Sequence, residues 1–285
     1  GMLPLLTEAY ATQAFLGLAL DLGWETRLRA GATVETLLEG FHPPSAAPAR
    51  WMMDFLAHEG ILEAHDGSYV LRGALPADER EGLRALAEAE APGNLVNLDL
   101  LDAIRKVLPP FFTEGRPGEE LIFGIELFPL WLAYFQNTNL LYRVNNLLSL
   151  AALRPALRPG ARVLEVGGGV GSFAHLLSQE PDVQLGAYVF TDGALPFLRR
   201  AQRVLPDLAP NLPLHVQRLD LDLPLDAQGL ADQTFDAIVA INVLHVVRDL
   251  PRTLADLRAH LAPGGRLVLG ECLKPSLDTP LYLEG

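Results

Sequence analysis

Two patterns of apolar residues divide this chain near residue 155. Before that point apolar positions recur at helical spacing, and after it short apolar runs alternate with helical stretches. The spacing predicts a first helix over 3–21, LPLLTEAYATQAFLGLALD, closed by Gly23. HPPSAAP (42–48) interrupts the chain, and a second helix in ARWMMDFLAHEG stops at Gly60. Two short strands then meet at Asp66-Gly67, a dipeptide suited to the left-handed backbone of a tight hairpin. A helix followed by a β-hairpin reads as a winged-helix-like unit. Residues 77–108 are predicted helical, PPFFTEGRPG (109–118) a loop, and 119–135 and 138–153 two further helices. RPALRPG (154–160) is the predicted hinge between a helical lid and substrate domain, 1–153, and a second domain, 154–285.

The second half contains five apolar runs: RVLEV, LGAYVFTD, PLHVQRLD, FDAIVAI and GRLVLGE. Near-continuous apolar strands separated by helices predict a parallel sheet covered on both faces. The class expected is α/β, with a mostly helical domain in front of the sheet. In such sheets ligands sit beyond the carboxyl ends of the strands.

The turn after the first of these runs reads VLEVGGGVG. Glu165 is followed by Gly167, Gly168, Gly169 and Gly171, a density that implies close approach of the backbone to something. A dinucleotide fingerprint starting at Gly167 would need glycine at 172, where Ser172 stands. The spacing is instead acid-x-G-x-G-x-G. An acid two residues before the first glycine opposes a pyrophosphate and suits a cationic ligand.

VLEVGGGVG resembles the first motif of class I S-adenosylmethionine-dependent methyltransferases, whose sheet is Rossmann-like. The resemblance implies that Glu165, Gly167, Gly168, Gly169 and Gly171 cradle the methionine and ribose parts of S-adenosylmethionine. It implies that Asp192, ending YVFTD, accepts hydrogen bonds from the ribose hydroxyls, since a carboxylate suits a vicinal diol. In RLDLDLPL it gives Asp220 to the adenine amino group, with Asp222 as a rival, and Leu221 to the ring. Asn242 would lie near the methionyl group. No metal is expected.

Methyl transfer from a sulfonium needs alignment and, for a weak acceptor, a base. His245 follows the fourth run and Glu271 ends the fifth. Adjacent strand tips would bring them together, and a carboxylate beside an imidazole fixes its tautomer. Two subfamilies share this layout. The carbon-methyltransferase domains of polyketide synthases are similar in NVLH, PGG, the terminal Glu, FTD…FLRRA and LYRVNN (141–146). Small-molecule O-methyltransferases with a winged-helix N-terminal domain are similar in GGGVG and ECLKP. The latter usually carry Asp-Trp after the histidine, whereas Val246-Val247 stand here. That departure favours carbon methylation of a β-ketoacyl or related activated-methylene substrate. An O-methyltransferase and a non-catalytic cofactor-binding scaffold are the alternatives. Tyr142, Asn145 and Asn146 share one helix face and, in the carbon-methylating reading, overhang the cofactor. The resemblance covers residues 119–275 closely and the first 118 more loosely.

Composition narrows the partners. The net charge of −13 argues against a nucleic-acid polyanion, which demands a basic face, and no cluster of Lys and Arg supplies one. The most apolar window, 122–135, carries Glu126 and Pro129 and falls short of the roughly 20 residues of a membrane span. Cys272 is the single cysteine, so no internal disulfide forms, and no charged-then-apolar leader is evident, so a cytoplasmic location is expected. The expected partner is a small molecule or acyl thioester, and a homodimer is compatible with the sequence. The family's sheet normally adds two strands after the fifth. Only 14 residues follow Glu271, interrupted by Pro275 and Pro280, so those strands are expected to be missing and the edge open.

Overall fold

The computed structural model describes residues 2–271, in two compact units that divide between Tyr134 and Phe135. In the first, α1 (Met2–Asp21) runs to Gly23, whose φ of 71° ends it. It is followed by α2 (Glu25–Ala30), β1 (Ala32–Thr33), α3 (Val34–Leu37), α4 (Ala47–His58), β2 (Glu63–His65) and β3 (Ser68–Val70). Asp66 and Gly67, at φ 50° and 76°, make the predicted hairpin between β2 and β3. β3 also pairs antiparallel with β1. The two-residue β1 is too short to carry an alternation and was not predicted. The fully buried Trp24 centres the core, meeting the rings of Phe41 and Phe112 edge-on.

The predicted helix over 77–108 is two helices, α5 (Arg80–Glu90) and α6 (Leu95–Val107). Pro92 lacks a donor and forces the residue before it out of helical geometry; Ala91 sits at φ −151°. The predicted loop over 109–118 begins instead with α7 (Pro109–Thr113). Its two prolines occupy the first turn, where no amide hydrogen is needed, and Phe111 and Phe112 are buried. The helix predicted over 119–135 is likewise α8 (Gly118–Ile122) and α9 (Phe128–Tyr134). Across that break the Trp131 indole donates to the Ile122 carbonyl at 2.7 Å.

The second unit opens with α10 (Leu140–Leu153). All five apolar runs then form strands: β4 (Arg162–Val166), β5 (Ala187–Asp192), β6 (Leu214–Arg218), β7 (Phe235–Ile241) and β8 (Leu261–Gly270). Between them lie α11 (Ser172–Ser178), α12 (Leu195–Leu208) and α13 (Leu250–Ala259). The sheet order is β6-β5-β4-β7-β8 and every pairing is parallel. Alternation along β4 sends Val163 towards a layer with Leu150, Phe173 and Leu205, and Leu164 and Val166 towards a layer with Leu257. Strand order reverses at β4, so a crevice opens beyond its carboxyl end. α10 packs on β7 and β8, so it belongs with the sheet, and the division falls before it rather than at the predicted 154–160 hinge. Residues 272–285 lie outside the described residues, and with them the expectation of missing edge strands. Among the described residues no helix is long and apolar enough to cross a membrane.

Candidate active site

The glycine turn joins β4 to α11. Gly167, Gly169 and Gly171 have φ of 65°, 54° and 82°, where a side chain is strained. A Cβ at Gly167 would run into Val243, at Gly168 into Phe190 and at Gly171 into Leu205. Only Gly169 among these four faces open space. Three of the glycines therefore answer to the protein's own packing, and Gly169 leaves the backbone bare. Gly168 N–H donates to the Thr191 carbonyl at 2.8 Å, which ties the turn to the tip of β5.

Glu165 does not stand in this crevice as a bare anion. Alternation puts it on the same sheet face as Val163, and it is 3% exposed. The Tyr188 hydroxyl donates to its Oε2 at 2.6 Å. Burial pushes its pKa up to about 8; the Tyr188 hydrogen bond opposes that rise and the Asp192 charge adds to it. Burial thus favours the protonated form of the acid of the motif, with the Tyr188 hydroxyl as its partner.

Asp192, ending β5, accepts from Gly169 N–H at 2.9 Å and Ala194 N–H at 2.7 Å. Burial raises its pKa, and the two amide donors pull it back. One carboxylate so holds both the glycine turn and the start of α12. Past β6, Asp222 accepts from Arg248 N–H at 2.8 Å and pairs with the Arg248 guanidinium at 3.4 Å. Asp220 accepts from Asp222 N–H at 2.9 Å and has no cationic partner among the described residues. Of the two acids, Asp220 keeps more of its accepting capacity. The Leu221 side chain lies in the apolar layer with Leu164 and Leu257.

At the end of β7, Asn242 holds φ 55°, a left-handed conformation that a non-glycine residue adopts at a cost. Its N–H donates to the Gly270 carbonyl at 2.7 Å, and its Oδ1 is buried without a partner. One turn further on, His245 Nδ1 lies 2.8 Å from Glu271 Oε2. Glu271 Oε1 accepts from Val243 N–H at 3.0 Å and Leu244 N–H at 2.7 Å. Burial works against this carboxylate, but His245 and the two amides outweigh it and hold its pKa below the usual range. The His245 side chain is 27% exposed.

α10 contributes the remaining residues. Asn145 Nδ2 donates to the same Gly270 carbonyl at 3.0 Å. Asn146 Nδ2 donates to Asn137 Oδ1 at 2.8 Å, and Asn137 Nδ2 to the Ser172 carbonyl at 2.8 Å. The Tyr142 ring packs edge-on against Phe135, with centroids 5.5 Å apart. Asn137 and Tyr188 carry no motif that marks them as site residues in the sequence, and Ser172 stands out there only by not being a glycine.

A methyltransferase-domain family model matches residues 164–267, the stretch from β4 to β8 that builds these strand tips. The chain belongs to the class I S-adenosylmethionine-dependent methyltransferases. This methyltransferase is 31% identical over 255 residues to highly reducing polyketide synthase 2 of Gibberella zeae, across 81% of this chain and 9% of that protein. It therefore spans less than a tenth of that relative's length. Among solved structures it is similar to the CurJ carbon methyltransferase, with a TM-score of 0.76 and 23% identity, over 95% of this chain and 73% of that one. The DszA carbon methyltransferase gives 0.72 and 23%, over 95% and 72%. At such identity the likeness shows a common fold.

The residues present fit S-adenosylmethionine, the cofactor of this family. Gly169 leaves room for close approach, Asp220 suits an amine, and the orphaned Asn242 Oδ1 and Asn146 Oδ1 are acceptors suited to an ammonium group.

Proposed function

We propose that this methyltransferase methylates carbon, at the activated methylene of a β-ketoacyl or similar acyl-thioester substrate, with His245 as base and Glu271 as its orienting partner. The observation that carries the reading is the 2.8 Å contact between His245 Nδ1 and Glu271 Oε2, with the other carboxylate oxygen held by two backbone amides. An anionic Glu271 keeps the ring proton on Nδ1, which puts the accepting lone pair on Nε2. Nε2 takes the proton from the carbon between the two carbonyls, and the C–H electron pair spreads onto those carbonyls as an enolate. The imidazolium so formed is stabilised by the carboxylate beside it. A methylene flanked by two carbonyls is acidic enough for a histidine base, and that of a simple thioester is not. S-adenosylmethionine, when bound, supplies an electrophilic sulfonium methyl for such a carbon nucleophile. Asp192 and Asp220 would hold its ribose and adenine ends. The chain's likeness to part of a polyketide synthase supports an acyl substrate and a cytoplasmic setting.

Heavy-methyl S-adenosylmethionine offered with a β-ketoacyl thioester analogue and, separately, with a panel of phenols tests the proposal. Label on the α-carbon of the thioester is expected. Label on phenolic oxygen would support an O-methyltransferase, and cofactor binding without any transfer a scaffold.

A further inference from the structure

Four buried side-chain polar atoms among the described residues lack a hydrogen-bond partner, and two of them, Asn146 Oδ1 and Asn242 Oδ1, are amide oxygens in the second unit. Asn146 is 1% exposed, so its oxygen is shut off from bulk water, and a buried acceptor left unpaired is costly. Nor is its direction arbitrary. The Ser172 carbonyl can only accept, so the Asn137 amide must turn its nitrogen to it, at 2.8 Å. That leaves Asn137 Oδ1 facing Asn146, which must offer its own nitrogen, also at 2.8 Å. Reversing either amide would set like groups face to face. The relay therefore fixes Oδ1 as the end of the Asn146 amide left without a donor.

We propose that Asn146, oriented by Asn137, accepts a hydrogen bond from the α-ammonium group of the bound cofactor, with Asn242 Oδ1 as a second acceptor. The inference rests on the cofactor lying across the strand tips as proposed above. Asp192 on β5 and Asp220 past β6 occupy one flank of the sheet and suit the ribose hydroxyls and the adenine amine. α10 lies on the opposite flank, on β7 and β8. There Asn145 Nδ2 and Asn242 N–H meet on the Gly270 carbonyl, which ties the helix to the end of β7. The donor of S-adenosylmethionine left over for that flank is the ammonium of its amino-acid end. Glu165 is buried and takes the Tyr188 hydroxyl, which leaves the amide oxygens to meet that ammonium. Asn146 is thereby a binding residue and Asn137 a positioning residue.

Titration calorimetry at pH 7 with S-adenosylhomocysteine and with its analogue lacking the α-amino group tests this. Asn146→Leu is expected to weaken S-adenosylhomocysteine about ten- to a hundredfold, the worth of a hydrogen bond to a charged group, and the analogue by less than about twofold. Asn137→Ala, at a half-buried position, should repeat the selective loss at a size of a few-fold, and it decides the matter should Asn146→Leu not fold. Equal losses for both ligands, or no loss for either, would overturn the assignment. Failure of the unmodified protein to bind either ligand would instead overturn the cofactor reading beneath it.

Discussion

Each unit of this molecule gathers polar side chains on its helices, and the two gatherings end differently. In the first, the Tyr10 hydroxyl donates to Asp102 at 2.6 Å, Arg84 reaches Asp99 at 2.7 Å and Asp102 at 3.1 Å, and Arg80 reaches Asp102 at 3.3 Å. Every group in that cluster has a partner inside it. The Trp24 indole nitrogen, a buried donor without an acceptor in that unit, is enclosed by aromatic rings in the core. In the second unit, Asn146 and Asn242 have partners for part of their polar surface and none for the rest, and Asn242 also holds a left-handed backbone. A closed network stabilises the chain that makes it. An open one spends stability on something the chain does not itself contain. Charge alone misleads here, because the more heavily charged cluster is the structural one.

The largest expected departure between the two regions is catalytic. His245→Ala should lower turnover about 10²- to 10⁴-fold, the usual contribution of a positioned base, with S-adenosylhomocysteine affinity unchanged within about twofold. Steady-state rates and calorimetry together check it; a parallel loss of affinity would make the histidine structural.

Next in size is Glu165→Gln. The folded protein keeps a proton that the unfolded chain releases near pH 4.5, and loses it only near pH 8. Since the folded state binds more protons in that window, the parent's stability falls as pH rises through it, by roughly 1.4 kcal/mol per unit from this residue. Glutamine keeps an oxygen for the Tyr188 hydroxyl and does not titrate. Urea unfolding at pH 5 and pH 8 should show the variant gaining on the parent by a few kcal/mol across the range. A constant difference would mean that Glu165 is ionised in place.

The smallest effect belongs to the closed cluster. Tyr10→Phe removes one hydrogen bond but leaves Asp102 with Arg80 and Arg84, so a cost of about 0.5–1.5 kcal/mol is expected. Thermal unfolding reads that loss, and calorimetry should find S-adenosylhomocysteine binding untouched. A change in affinity would show that the cluster is not closed in the sense argued.

What the sequence disclosed follows the same physics. The five strands were legible because burial on both faces leaves uninterrupted apolar runs, and the hairpin because Asp66-Gly67 suits only a few backbone conformations. Helix boundaries between 77 and 135 were less so. Apolar periodicity continues past Pro92 and through 123–127, and the pull of Phe111 and Phe112 into the core made helix where two prolines suggested loop. At the candidate site, types of residue were readable and environments were not. Nothing near Glu165 in the chain announces Tyr188, 23 residues on, whose hydroxyl and surrounding apolar layer make the acid's environment. Asn137 is silent in the sequence for a similar reason. Its importance lies in holding Asn146 and the Ser172 carbonyl, two contacts that exist only once α10 is laid beside α11.

Amide hydrogen exchange with and without S-adenosylhomocysteine tests the contrast between the two regions most directly. The account predicts slowed exchange in the glycine turn, at the ends of β5 and β7 and in the first half of α10, with α1, α5 and α6 unaltered. Protection centred on the Tyr10–Arg84–Asp102 cluster, or no protection anywhere, would contradict it.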